Sequence, residues 1–431
     1  MLDVEHGLET LMTRPADVWK NLFDDRATSC EWPYQSGVWS KHEWVHPRIE
    51  IENIVSLGEG NSPLVRSTQL AKHLGVSKLW IKPIGSGPTG SFQDLGMTVL
   101  VSTANQMIMA GQPIRALACA STGDTVSSLA AYCAAAEIPI VAILPVGESS
   151  TAQQAQLLAR GALVVVLDAD LDDCVRVAHQ VAADHSIRIV DSMSSLAIQG
   201  QKTVAVELVQ QLGWSVPDWI IIPSRNLEIT TALGRGVLMM KELGLVNRLP
   251  RIACVCEEES NPFHRSDLSG FMCGESITVH GDPSNSIAVE DPVNRERAAK
   301  LLCAFGGVVE QIDREDLASA VAIAGRAESE CLPQTVKALA ALSRLVHRGE
   351  IRATDRAVVI AVGQESNASL HDRSSKGTPP CPLSGRCSSR SSCRLQGRWG
   401  LDYPCLGPEI GDVWSSCFQR VGADVVMGTD G

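Results

Sequence analysis

Gly85-Ser86-Gly87-Pro88-Thr89-Gly90-Ser91-Phe92-Gln93-Asp94-Leu95-Gly96-Met97 follows a short apolar run, LWIKPI (residues 79–84), and leads into a stretch with helical patterning. A Gly-rich turn that opens a helix presents backbone N–H groups at the positive end of the helix dipole, an ordinary seat for a phosphate or a carboxylate. Many helices begin this way, so the segment gains its meaning from its flanks. GEGNSPL (residues 58–64) lies upstream and CASTGDTVSSLAAYC (residues 119–133) downstream, the latter again a polar turn running into a helix.

Outward from this centre, short apolar runs alternate with Ala- and Leu-rich stretches. IRALACA (114–120), IPIVAILP (138–145), ALVVVLDA (162–169) and IRIVDS (187–192) read as strands, with helices over Thr125–Ala136 and Thr151–Arg160 between them. The alternation continues through a helix Gln201–Leu212, the strand DWIIIP (218–223), a helix near Gly234–Leu243 and the strand RIACVC (251–256). AVVIAV (357–362) reads as the last strand. Strand and helix at this interval mean βαβ crossovers, a parallel sheet, and an α/β fold of two units with a ligand cleft between them.

Residues 1–50 hold Trp19, Trp32, Trp39 and Trp44, an aromatic density that predicts a segment packed on the main body. From Arg373 to Arg398 the chain has six basic residues and no acidic one, amid Ser, Gly and Pro, and reads as a disordered tail over 372–431. A net charge of -12 argues against a nucleic-acid or anionic-membrane surface and favours a small-molecule partner. No run reaches the roughly 18 apolar residues of a membrane span. The fourteen cysteines show no CxxC spacing, so no metal site is expected, and free thiols suit a reducing, cytoplasmic compartment.

GEGNSPL, PTGSFQD and STGDT together resemble the motifs of threonine synthase, and the likeness runs from Met1 to about residue 365. LDVEHGLETL, WPYQSGVWSKHEWV and GQKT are similar to the plant-type branch. The resemblance implies a pyridoxal-phosphate enzyme of the tryptophan-synthase β-subunit fold (fold type II), which converts O-phosphohomoserine and water to threonine and phosphate. It implies a homodimer acting on an amino-acid substrate, with an N-terminal extension (1–50) that takes part in S-adenosylmethionine activation. It also implies a large domain (51–98 and 191–371) and a small mobile domain (99–190).

By the same resemblance, Gln93 stands at the cofactor-binding lysine. Ser224, Arg225, Asn226, Leu227 and Glu228 align with the cofactor phosphate loop, and Thr335 with a further cofactor contact. Ser91, Ser121, Thr122, Gly123, Asp124 and Thr125 align with the substrate site. An amide nitrogen shares its lone pair with its carbonyl, so Gln93 can neither form an imine nor act as a base. Other departures fall in the same region: glycines of the phosphate loop are lost, and Glu228 there repels a phosphate unless Arg225 compensates. Asp191 and Ala197 stand where the family has an asparagine and an arginine for substrate phosphate. Gln334 and Val336 replace a histidine and a glycine beside Thr335, and Ile360-Ala361-Val362-Gly363-Gln364 stands where the plant-type branch has serine-threonine-alanine-histidine-glycine, losing the hydroxyl expected near the pyridine nitrogen.

For residues 121–125 a second reading is that Thr122 or Asp124 merely caps the helix. Lys82, on the strand before the loop, reads as structural rather than as a displaced amine. At the level of function the sequence leaves three readings: a non-catalytic homologue with a regulatory or interaction role, a divergent pyridoxal-phosphate lyase or synthase of specialised amino-acid metabolism, and a degraded gene product.

Overall fold

The computed structural model describes residues 8–121, 123–184, 186–191, 194–224, 227–257, 292–326 and 333–362. The expected tail and its cysteines lie outside the described residues, as do Thr122, Ser192, Arg225, Asn226 and Gly363.

In chain order the strands are β1 (Val65–Arg66), β2 (Lys78–Pro83), β3 (Ala116–Ala120), β4 (Ile140–Pro145) and β5 (Leu163–Leu167). They continue with β6 (Ile187–Ile189), β7 (Trp219–Pro223), β8 (Arg251–Glu257), β9 (Val308–Ile312) and β10 (Arg356–Ala361). One sheet has the order β1-β2-β10-β7-β8-β9 and the other β5-β4-β3-β6. β1 runs antiparallel to β2, and every other pairing is parallel. β9 has no counterpart among the strands expected from the sequence. It is an edge strand, and its half-polar text VVEQI lacks the continuous apolar run that marks a central parallel strand.

The chain divides into two compact units, the smaller formed by residues 115–126 and 139–189 and the larger by the rest of the described chain. The boundary between the units falls after Ile114, and helix Asp94–Met109 is packed into the larger unit. A Cβ on Gly96 would meet Ala197 Cβ at 2.9 Å, and one on Gly200 would meet the Leu95 carbonyl oxygen at 1.7 Å, so these two helices cross in backbone contact. Residues 127–138 also belong to the larger unit. Two buried hydrogen bonds tie them there: Ser128 Oγ donates to Asp94 Oδ1 (2.6 Å) and the Tyr132 hydroxyl to Glu59 Oε2 (2.7 Å).

In the larger unit the period of two sends alternate residues to opposite faces of the sheet. Ile220, Ile222, Ile252, Cys254, Val358 and Ile360 enter one core, whereas Trp219, Ile221, Ala253, Val255, Ala357 and Val359 enter the other. Burial on both faces is why these strands read as unbroken apolar runs. The first core also takes in Trp19, Phe23, Trp39 and Trp44, so the N-terminal segment packs on the body as its aromatic content predicts. Phe23 and Trp44 meet edge to face with centroids 4.9 Å apart, and Trp39 Nε1 donates to Thr98 Oγ1 at 2.8 Å.

The smaller unit buries Ala116, Ala118, Val141, Ile143, Val165 and Leu167 against Cys174, Val177 and Ala178 of helix Leu171–Asp184. Its Thr151–Ala159 helix starts with a capping box: Ser150 Oγ accepts from Gln153 N (3.2 Å) while Ser150 N donates to Gln153 Oε1 (3.0 Å).

Candidate functional site

β2 and β7 flank β10 in parallel, so the loops leaving their carboxyl ends emerge on the same edge of the sheet. In open α/β sheets that edge carries the ligand sites. The loop after β2 carries Gly85–Gln93 into helix Asp94–Met109, and the turn after β7 leads into helix Glu228–Glu242.

The glycines of the first loop serve its wrapping around one buried carboxylate. Asp94 Oδ2 accepts from Thr89 N (2.9 Å), and Oδ1 accepts from Thr89 Oγ1 and Ser128 Oγ (both 2.6 Å). A Cβ on Gly87 would lie 2.5 Å from Asp94 Oδ2, and Gly90 has φ +79. Ser91 is buried, its hydroxyl accepts from Gln93 N at 3.2 Å, and it shares a small surface depression with Ser86, Gly87, Ser62, Asp94 and Glu207.

Gln93 immediately precedes the helix and is itself in αR geometry, with its carbonyl accepting from Gly96 N and Met97 N. Its side chain is 9% exposed and turns inward, where Nε2 donates to Glu228 Oε2 at 2.8 Å. Glu228 is the first residue of its helix and 1% exposed. Its other oxygen accepts from Gln201 Nε2. The helix dipole favours a negative charge at that position. Ahead of it, Leu227 holds φ +60 while fully buried, a left-handed backbone at a residue with a branched side chain, which costs about 1–2 kcal/mol. Ser224 Oγ lies 3.2 Å from Thr230 Oγ1. Gln93 Oε1, Gln201 Oε1, Thr231 Oγ1 and Thr335 Oγ1 are buried without hydrogen-bond partners.

Of the residues singled out from the sequence, the structure therefore joins Gln93 directly to Glu228. Ser121, Gly123, Asp124 and Thr125 belong to the smaller unit. There Gly123 N donates to Ser121 Oγ (3.3 Å), Ser121 N to the Ile143 carbonyl (3.2 Å), and Asp124 is exposed at the first helical position. Asp191 is exposed, and Ala197 is fully buried in the helix crossing with Gly96.

Lys82 is structural, as its place on β2 suggests. Its ammonium donates to the Ser62 carbonyl (2.7 Å), Glu207 Oε2 (2.8 Å) and Gln211 Oε1 (3.1 Å), which uses all three of its protons. Burial alone would raise the Glu207 carboxyl, but Lys82 and Lys41 hold it below the ordinary carboxylate range. Burial pushes the Lys41 amine down to about 8. Burial, with Arg235 adding to it, pushes Lys202 down to about 7. Lys202 Nζ donates to Gln199 Oε1. Gln201, Lys202 and Glu207 carried no chemical signal in the sequence beyond the GQKT likeness, since their partners lie on other elements.

Residues 55–363 match the family described as "Pyridoxal-phosphate dependent enzyme". The chain is 42% identical over 363 residues to "Threonine synthase 2, chloroplastic" of Arabidopsis thaliana, covering 84% of this chain and 70% of that protein. It is 32% identical to the threonine synthase of Methanocaldococcus jannaschii, covering 76% of this chain and 80% of the relative. Among solved structures, the processed threonine deaminase isoform 2 of Solanum lycopersicum superposes with TM-score 0.56 at 17% identity, over 72% of this chain and 86% of that one. Escherichia coli diaminopropionate ammonia lyase does so with TM-score 0.60 at 15% identity, over 74% and 88%. Among the described residues no helix is long and apolar enough to cross a membrane.

Proposed function

We propose, from the premise that this chain belongs to the pyridoxal-phosphate dependent enzyme family and is a homologue of the threonine synthases, that it keeps the family's fold without the family's catalytic amine. Gln93 stands at the position of the Schiff-base lysine, and the chain does not convert O-phosphohomoserine to threonine. The observation that carries this reading is the 2.8 Å hydrogen bond from Gln93 to Glu228.

Pyridoxal phosphate is the cofactor of that family, and the residues here do not fit it. Position 93 offers an amide that cannot form an imine. Glu228 puts a buried carboxylate at the helix start where a phosphate would have to sit, so the phosphate-loop roles that the resemblance implies for Ser224, Arg225, Asn226, Leu227 and Thr335, and the substrate roles of Ser91 and residues 121–125, are not exercised in this reading. Two like charges sharing one desolvated seat disfavour each other strongly. We therefore read the protein as a non-catalytic homologue whose role is regulatory or interactive, and a homodimer. A cytoplasmic location, expected from the cysteines, differs from the compartment in the name of the Arabidopsis relative.

The ultraviolet-visible spectrum of the purified protein with added pyridoxal phosphate tests this. No imine absorbance is expected, and no covalent adduct after borohydride reduction. An adduct mapped to Lys202 favours the alternative, a divergent pyridoxal-phosphate lyase or synthase. What supports that alternative is a buried amine held down to about 7, next in sequence to Gln201.

A further inference from the structure

The edges of the two sheets are not alike. β1 has two residues, β6 has three with the exposed Arg188 at its centre, and β9 carries Glu310, which is paired with Arg348. Short strands and charges of this kind keep an edge from pairing with another chain. β5 has neither: Leu163-Val164-Val165-Val166-Leu167 is uncharged, lacks proline, and among the described residues pairs with β4 alone. Val146 N donates to the Leu167 carbonyl at 2.8 Å, in the register Pro145↔Leu167. Successive residues of a strand turn their backbone groups to opposite sides, so Leu163, Val165 and Leu167 bond β4, whereas the N–H and C=O of Val164 and Val166 point away from it.

This edge reads the same in both directions. Turned about Val165 by a two-fold axis, a second β5 lies antiparallel with Leu163 opposite Leu167, Val164 opposite Val166 and Val165 opposite itself. Val164 and Val166 carry the outward backbone groups, so each opposed pair exchanges both of its N–H···O bonds. Their half-buried side chains meet as β-branched cross-strand pairs. Arg160 precedes the strand, and the exposed Asp168 and Asp170 follow it. Antiparallel docking brings each Arg160 to the acidic end of the other copy, whereas parallel docking sets like charges together.

We infer that β5 is an interaction edge for a second copy of this chain, paired antiparallel about Val165 so that two four-stranded sheets become one. The edge lies wholly in the smaller unit and uses no residue around Gln93, so the inference holds or fails independently of the proposed loss of catalysis.

The mass of the full chain in solution is measured by sedimentation equilibrium for the wild type, Val166→Pro and Val164→Lys. Proline removes the outward N–H of residue 166 and leaves the β4 ladder intact. Lysine puts a charge into the joint. The wild type is expected at double the mass of either variant or more. This comparison does not depend on the homodimer proposed above, since the variants keep any association made elsewhere on the chain. Val165→Cys, oxidised beside a wild-type control for the native thiols, is expected to give two chains joined by a disulfide at position 165. Residues opposed at a non-hydrogen-bonded antiparallel position have Cα atoms about 4.5 Å apart, within disulfide reach. Should both edge variants misfold, this crosslink decides the question. Equal masses for the wild type and the folded variants, or no bond at position 165, would overturn the inference.

Discussion

The Gln93 side-chain amide donates to the Glu228 carboxylate at 2.8 Å, linking the loop after β2 to the first residue of the helix after β7. Both side chains are buried, so the contact fixes what each position can be exchanged for.

Gln93→Lys alone is expected to yield little imine with added pyridoxal phosphate at pH 7. The introduced amine would lie against Glu228, and a carboxylate neighbour favours the ammonium form, raising its pKa. Imine absorbance should rise from pH 7 towards 10 in the single variant. Gln93→Lys combined with Glu228→Gly should show it already at pH 7. Equal spectra for the two at pH 7 would remove the role given to Glu228.

Lys202 makes a testable contribution to the pH dependence of stability. Its amine titrates near 7 in the folded chain, against an ordinary 10.5 when unfolded. Between those values the unfolded chain binds the extra proton, so this group's contribution to stability rises with pH from about 7 to about 10 and is least favourable below 7. Lys202→Met should remove that rise, read as the difference between wild-type and variant denaturation midpoints across the range. A difference that is flat with pH would mean that the amine is charged in the fold.

Trp44→Ala should cost about 3–5 kcal/mol in urea unfolding, since it empties an aromatic cluster shared with Trp19 and Phe23. Trp32→Ala, at a side chain 47% exposed, should cost under about 1 kcal/mol. Similar values for both would show that the N-terminal segment does not belong to the core.

Gly200→Ala should prevent the fold or lower its unfolding midpoint by several degrees, because the new Cβ would sit 1.7 Å from the Leu95 carbonyl oxygen. Gly111→Ala meets no atom within 4 Å, but its φ of +82 strains any side chain, so a loss of about 1 kcal/mol is expected there. Circular-dichroism melts of the two variants decide this, and a Gly200→Ala protein as stable as the Gly111→Ala one would contradict the helix crossing.

Much of the sheet was legible because its strands are buried on both faces. DWIIIP, RIACVC and AVVIAV are continuous apolar runs, and β7, β8 and β10 follow them. β9 was not, since VVEQI at an edge has no such run. The close helix crossing at Gly96 and Gly200 was not legible, because a glycine inside a helical pattern does not say what it touches. At the site, the PTGSFQD and Glu228 positions stood out singly. Their meeting, and the part of Gln201, depend on three elements distant in sequence and could not be read from spacing. The expectation that Glu228 repels a phosphate unless Arg225 compensates did not include the two amides that bond the carboxylate.

On the proposed function, a chain with an amide at position 93, bonded to Glu228, does not perform the chemistry of its relatives. Phosphate release from O-phosphohomoserine by the unmodified protein, with pyridoxal phosphate supplied, tests it most directly. Loss of the covalent anchor and proton shuttle removes several orders of magnitude in rate, so release at the rate of the protein-free control is predicted. Saturable phosphate release accompanied by stoichiometric threonine would contradict it.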